Sequence, residues 1–273
     1  TLIEQANAGL PALQRYFQLR KRMMKLDELH YFDLYPSIAS LDRRFTVPEM
    51  RALTVEAVAP LGAAYQKTLA DATAGRWLDP YPRKGKVSGA YTNSTYGVHP
   101  YLLLNLYDDY NSLTTYAHEW GHAMHSVLAS AAQPLPNAEY TIFTAEIAST
   151  NNEQLLNHLM VSKARTPAEK VFYLDQLAEF FKGTFYRQTQ FAEFELAIHE
   201  AAEKGDGLSG DRFSEIYLGI LKAYYEPAVK IDDYLAIEWA YIPHFFRNFY
   251  VYQYAPCVAA SAFFSDRTLA GGP

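Results

Sequence analysis

The sequence has a single cysteine, Cys257, so no internal disulfide can form and a reducing compartment, the cytoplasm, is the expectation. It has no run of about 18 consecutive apolar residues, which removes any candidate membrane span and predicts no membrane partner. The opening stretch TLIEQANAGL lacks the basic and apolar regions of a secretory leader, and it starts on Thr rather than Met, as an excised piece would. Positive charge is scarce as well. There are 24 Lys and Arg against 30 Asp and Glu, a net charge of −6, and apart from short clusters such as Arg20 to Arg22 the basic residues are scattered. Nucleic acid is therefore not an expected partner. Tandem repeats, low-complexity tracts and Gly/Ser linkers are missing too. What is present is apolar material: 49% of the 273 residues are hydrophobic and 15% aromatic, enough for a sizeable core in one large domain or two small ones.

The pattern along the chain is mainly α, read as a single domain over 1–273 with a small antiparallel hairpin inserted. Residues 1 to about 30 have helical periodicity, with Pro11 suited to a first helical turn. A helical stretch at 47–74 is interrupted by Pro60 and Gly62. From about 77 to 111, Gly, Asn and Ser alternate with short aromatic and apolar runs, which predicts the hairpin. A helix over about 112–131, capped by Asp109, Asn111 or Ser112, ends at QPLPN, and a second begins near Thr141 or Thr144 and runs to about 163. Further helices are predicted over 166–205, 208–225 and 232–263.

The first of the paired helices carries TTYAHEWGHAMHS, residues 114–126. His118 and His122 fall about 40° apart around a helix and one turn apart along it, so both imidazoles can reach one ion. Glu119 falls about 100° away, too far round to share that ion and close enough to take a proton from water beside it. Two imidazole ligands with a carboxylate base is the chemistry that the spacing H-E-x-x-H implies for a zinc hydrolase. Gly121 weakens the helix by about 1 kcal/mol relative to Ala, and it permits close approach of a backbone or ligand. His125 sits roughly 10 Å along the axis from His118, so it is read as packing or as support for a ligand.

A catalytic zinc needs a third protein ligand. The next helix, running back antiparallel, offers Glu146 and Glu153 on one face. Glu146 also lies where a helix dipole favours any carboxylate, and Glu153 reads equally as an orienter of a ligand imidazole or as a solvated side chain.

HEWGHAMHS followed by FTAEIASTNNE resembles metallopeptidase family M3, in its oligoendopeptidase F branch. SGAYTNSTYGVHPYLLLN, FYRQTQFAEFELAIHE and YIPHFFRNFYVYQYAPCVAASAFF resemble that family's other blocks, in the family's order. The resemblance implies a zincin-like (gluzincin) helical catalytic domain with its hairpin beside the zinc helix. It also implies one Zn2+ per chain held by His118, His122 and Glu146, with Glu119 as general base. The activity implied is hydrolysis of internal peptide bonds. Donors to the oxyanion are expected from the block at 241–264, with His244, Tyr250 and Tyr254 preferred. Tyr252 is expected to point elsewhere and is grouped with the substrate-binding residues Gly89, Ala90 and Tyr91. SGAY (88–91) is the expected edge for an added peptide strand, and His99 either bonds substrate or holds its turn.

Family members are about twice this length, with an N-terminal helical region roofing a deep channel. A cleft without that roof is expected to admit longer chains as well as oligopeptides. The rival readings are a non-catalytic peptide-binding relative and a purely structural helical domain.

Overall fold

Caps and turn residues set where the helices start and stop. The computed structural model describes residues 1–271. In chain order its helices and strands are α1 (Leu2–Met24), α2 (Val47–Ala57), α3 (Ala63–Ala74), β1 (Leu78–Asp79), β2 (Tyr91–Asn93), β3 (Tyr101–Leu103), α4 (Tyr110–Ala132), α5 (Leu135–Ala138), α6 (Ile142–Ser162), α7 (Pro167–Phe181), α8 (Arg187–Glu203), α9 (Gly210–Tyr225) and α10 (Tyr254–Leu269). The fold is mainly helical with one small sheet, as expected.

The chain packs as two compact units, Thr1–Ser40 with Asp175–Pro256, and Leu41–Leu174 with the chain from Cys257 on. In the first, Leu13 and Phe17 of α1, Phe191 and Phe194 of α8, and Tyr217, Leu221 and Tyr224 of α9 form the core. Part-buried polar side chains at its border pair with one another. Arg187 meets Glu238 at 2.6 Å, and the same carboxylate accepts from Tyr217 at 2.5 Å.

In the second unit α4 lies against α6. The contacts run in opposite senses along the two helices, Asn157 to Tyr110, Asn152 to Ala117 and Glu153 to His118, so the pair is antiparallel. The sheet has order β1-β3-β2, with β2 antiparallel and β1 parallel to β3. The hairpin is present and gains a parallel strand from Leu78–Asp79, a segment too short to show alternation. Leu102 of β3 is buried while its neighbour Tyr101 is exposed, the period-2 alternation of a half-buried strand.

The place of one proline and three boundaries depart from the sequence reading. Thr1 caps helix α1 through a capping box with Glu4, so Pro11 lies inside the helix and costs it one backbone bond rather than opening it. It ends at Met24, because Lys25 takes a left-handed conformation at φ 56°. The predicted helix over 166–205 divides into α7 and α8 around a five-residue π segment, Lys182–Tyr186. The largest departure is at 232–253, which is a string of 3-10 turns, Asp233–Tyr241, Pro243–Phe246 and Val251–Gln253, before α10 begins. Pro243 drives Ile242 to an extended conformation (φ −96°, ψ 97°), which an α-helix cannot contain. Phe249 then sits at φ 57° with its N–H donating to the buried Glu195 carboxylate at 2.7 Å. That hydrogen bond offsets a backbone conformation disfavoured for a bulky residue.

Candidate metal centre

Helix α4 opens with Asp109 accepting from Ser112 N at 2.7 Å. Two turns later it presents His118 and His122 to α6. Helix α6 begins after Thr141, which places Glu146 in its second turn and Glu153 two turns further, on the same face. The two helices can approach this closely because of Gly121. A Cβ there would lie 2.6 Å from Ser149 Cα and 2.7 Å from the Ala148 carbonyl oxygen, both backbone atoms that have nowhere to go. The close approach suggested by the sequence is thus a helix–helix backbone contact.

Across that contact the donors converge. His122 Nε2 lies 3.2 Å from His118 Nε2, and Glu146 Oε2 lies 3.4 Å from His118 Nε2 and 3.5 Å from His122 Nε2. A tetrahedral zinc with nitrogen and oxygen ligands at about 2.0–2.2 Å requires donor–donor edges of about 3.3–3.6 Å. The triangle therefore has the size of one face of such a tetrahedron, and the two-nitrogen, one-carboxylate set suits zinc. Among the described residues these three form the group able to hold a metal ion.

Supporting contacts hold two of the three donors, His118 and Glu146. His118 Nδ1 is 2.6 Å from Glu153 Oε1, which directs Nε2 to the centre of the triangle. Ser149 Oγ donates to Glu146 Oε2 at 2.8 Å, and Thr150 donates to the Glu146 carbonyl. Glu119 is buried, and its Oε2 accepts from Thr92 Oγ1 of β2 at 2.6 Å. Among the described residues none of Glu119, Glu146 and Glu153 forms an ion pair with Lys or Arg. Burial works against charge on His118, yet the hydrogen bond and charge of Glu153, with Glu146 and Glu119, outweigh it and raise its pKa to about 9. Burial likewise opposes charge on Glu146, but His122, His118 and Ser149 bring its carboxyl down to about 2. The field at the centre of the triangle attracts positive charge.

A model of peptidase family M3 matches residues 1–271. The chain belongs to peptidase family M3. Oligopeptidase PepF of Bacillus subtilis is 39% identical over 272 residues, 99% of the M3 chain and 41% of that protein. Group B oligopeptidase PepB of Streptococcus agalactiae is 38% identical, over 100% of this chain and 45% of its own. The crystal structure of oligoendopeptidase-F from Enterococcus faecium matches with a TM-score of 0.71 at 31% identity, covering 100% of the M3 chain and 42% of that one. The chain thus spans less than half the length of these relatives.

His125 stacks flat on Tyr140, centroids 3.7 Å apart, which is a packing role. His99 stacks on Trp77 at 4.7 Å and lies 2.8 Å from the Pro100 carbonyl, so it holds its own turn. Ser88 to Ala90 are not strand: Gly89 has φ 87°, with its carbonyl accepting from Asn105 at 2.9 Å, and pairing begins at Tyr91 on the outer strand β2. In the other unit, Tyr250 and Tyr254 hydroxyls are 3.2 Å apart and the His244 ring is 5.8 Å from that of Tyr250, so these three are grouped although no α-helix joins 244 to 250. Tyr252 is exposed. Sequence reasoning overlooked Ser149, Thr150 and Thr92. Ser149 and Thr150 could have been found, since a hydroxyl three or four residues after a carboxylate on a helix reaches back to it.

Proposed function

We propose that this M3 chain carries the zinc-dependent endopeptidase centre of an oligopeptide hydrolase, with zinc held by His118, His122 and Glu146. The donor triangle carries the reading, because its edges and ligand types suit a divalent cation and its two helices display the family's motif. The names of the relatives, oligopeptidase and oligoendopeptidase, support oligopeptides as the substrate class.

Bound there, zinc supplies Lewis acidity, polarising a peptide carbonyl and acidifying a water. Glu119 takes the proton of the attacking water and delivers one to the leaving amine. Glu153 holds the His118 imidazole in the tautomer that leaves Nε2 free to ligate. The open edge of β2 pairs with an extended substrate through main-chain hydrogen bonds, which suits a peptidase of broad sequence tolerance; Gly89, Ala90, Tyr91 and Tyr252 stay with substrate in this reading. Donation to the oxyanion is assigned to His244, Tyr250 and Tyr254 on chemistry and family resemblance, since phenol O–H and imidazole N–H are both donors. No helix of the described residues is long and apolar enough to cross a membrane.

The test is mass spectrometry of the products of a peptide mixture, with and without chelator, alongside metal analysis. Internal cleavage that chelation stops and zinc restores is the expected result. Stoichiometric zinc with no cleavage would support a peptide-binding relative instead.

A further inference from the structure

The base itself has an anchor that the zinc motif does not contain. Glu119 is 5% exposed, and its carboxylate is met by one hydroxyl, that of Thr92, at 2.6 Å from Oε2; the same hydroxyl lies 3.0 Å from the Glu119 carbonyl oxygen. A hydroxyl has one proton to give. The shorter contact to a charged acceptor is the stronger bond. Thr92 is itself held from two directions. Its backbone sits in register with Leu102 of β3, and its β-branched side chain has few χ1 options on a strand. Its face of β2 is turned to α4, while Tyr91 and Asn93 on either side point out and are exposed.

We infer that Thr92 is the positioning residue of Glu119: its hydroxyl locks the base's Oε2 to the outer strand and leaves Oε1 to exchange protons with the reacting groups. This rests on Glu119 being the general base. A glutamate has three rotatable side-chain bonds, and a base that wanders by an ångström loses much of its effect. The anchor also places the base in the frame of the strand proposed to pair with substrate. A peptide added to the β2 edge is thereby registered against Glu119 through one rigid element.

The test compares Thr92→Val, which keeps shape and loses the hydroxyl, with Thr92→Ser, which keeps the hydroxyl. In the intact zinc-loaded protein, Thr92→Val is expected to lower kcat by about 10- to 100-fold with KM within about twofold, and Thr92→Ser to recover most of kcat. Zinc content stays at the wild-type value in both. In crystals, the Glu119 carboxylate is expected to leave β2 in Thr92→Val and to stay in Thr92→Ser. Unchanged kcat in Thr92→Val, equal losses in both variants, or a Glu119 that holds its place without the hydroxyl would each overturn the inference. A wild-type protein that binds zinc but cleaves nothing would contradict the peptidase reading, and the position of Glu119 in the Thr92→Val crystals would still decide the role of Thr92.

Discussion

The α4–α6 pair and the aromatic segment 233–253 hold the residues that the sequence marks most strongly, and they are built in opposite ways. In the pair, each donor sits on a regular helix, and spacing of three, four and seven residues translates directly into a shared face. In the segment, backbone bonding changes from turn to turn, and the chain's path depends on distant partners such as Glu195, which accepts from Phe249, and Tyr217, which donates to Glu238. Periodicity is informative where one hydrogen-bond pattern repeats. Where long-range contacts set the backbone, it fails.

Altering one group in each region and measuring both metal content and stability separates the two. Glu119→Gln carries the largest expected effect, a loss of turnover of about 10²- to 10⁴-fold with zinc retained, read by steady-state peptide cleavage and metal analysis. Gly121→Ala comes next. Alanine favours a helix by about 1 kcal/mol, but overpacking against immovable backbone costs about 1–3 kcal/mol. Since the added methyl would meet Ser149 at 2.6 Å, the clash wins. The helices are forced apart and Glu146 leaves the triangle, so denaturant unfolding should show a net loss of stability and dialysis a loss of stoichiometric zinc.

Glu153→Ala frees the His118 ring and should weaken zinc by about 10- to 100-fold in a chelator competition, with little change in folding. The smallest effect is expected on the other side of the comparison. Glu195→Ala leaves the Phe249 N–H unpaired, but it also removes a carboxylate whose pKa burial has pushed up, so the net cost is about 1 kcal/mol by thermal unfolding. Zinc affinity should not move. If it did, the segment and the metal centre would be less separable than the comparison holds.

Much of the site was legible from residues alone. His118, Glu119 and His122 announce themselves by spacing, and Glu146 and Glu153 could be listed as candidates once QPLPN was read as the turn between two antiparallel helices. Family resemblance favoured Glu146 over Glu153, because both lie on one face; in the structure Glu146 approaches both imidazoles while Glu153 meets only His118 Nδ1. Thr92 was not legible: it lies 27 residues from Glu119 and meets it only through the packing of strand on helix. The 3-10 path of 233–253 was missed although Pro243 stood in it, since strong apolar periodicity on either side outweighed one breaker. The first omission is a tertiary effect that no local pattern encodes; the second had a local signal that was underweighted.

If His118, His122 and Glu146 close on one zinc ion as proposed, anomalous diffraction at the zinc edge, from crystals of the zinc-loaded protein, will locate it. A single strong peak about 2.0–2.2 Å from His118 Nε2, His122 Nε2 and Glu146 Oε2 is the expected result. A peak elsewhere, or one coordinated by the two imidazoles with Glu146 turned away, would contradict it.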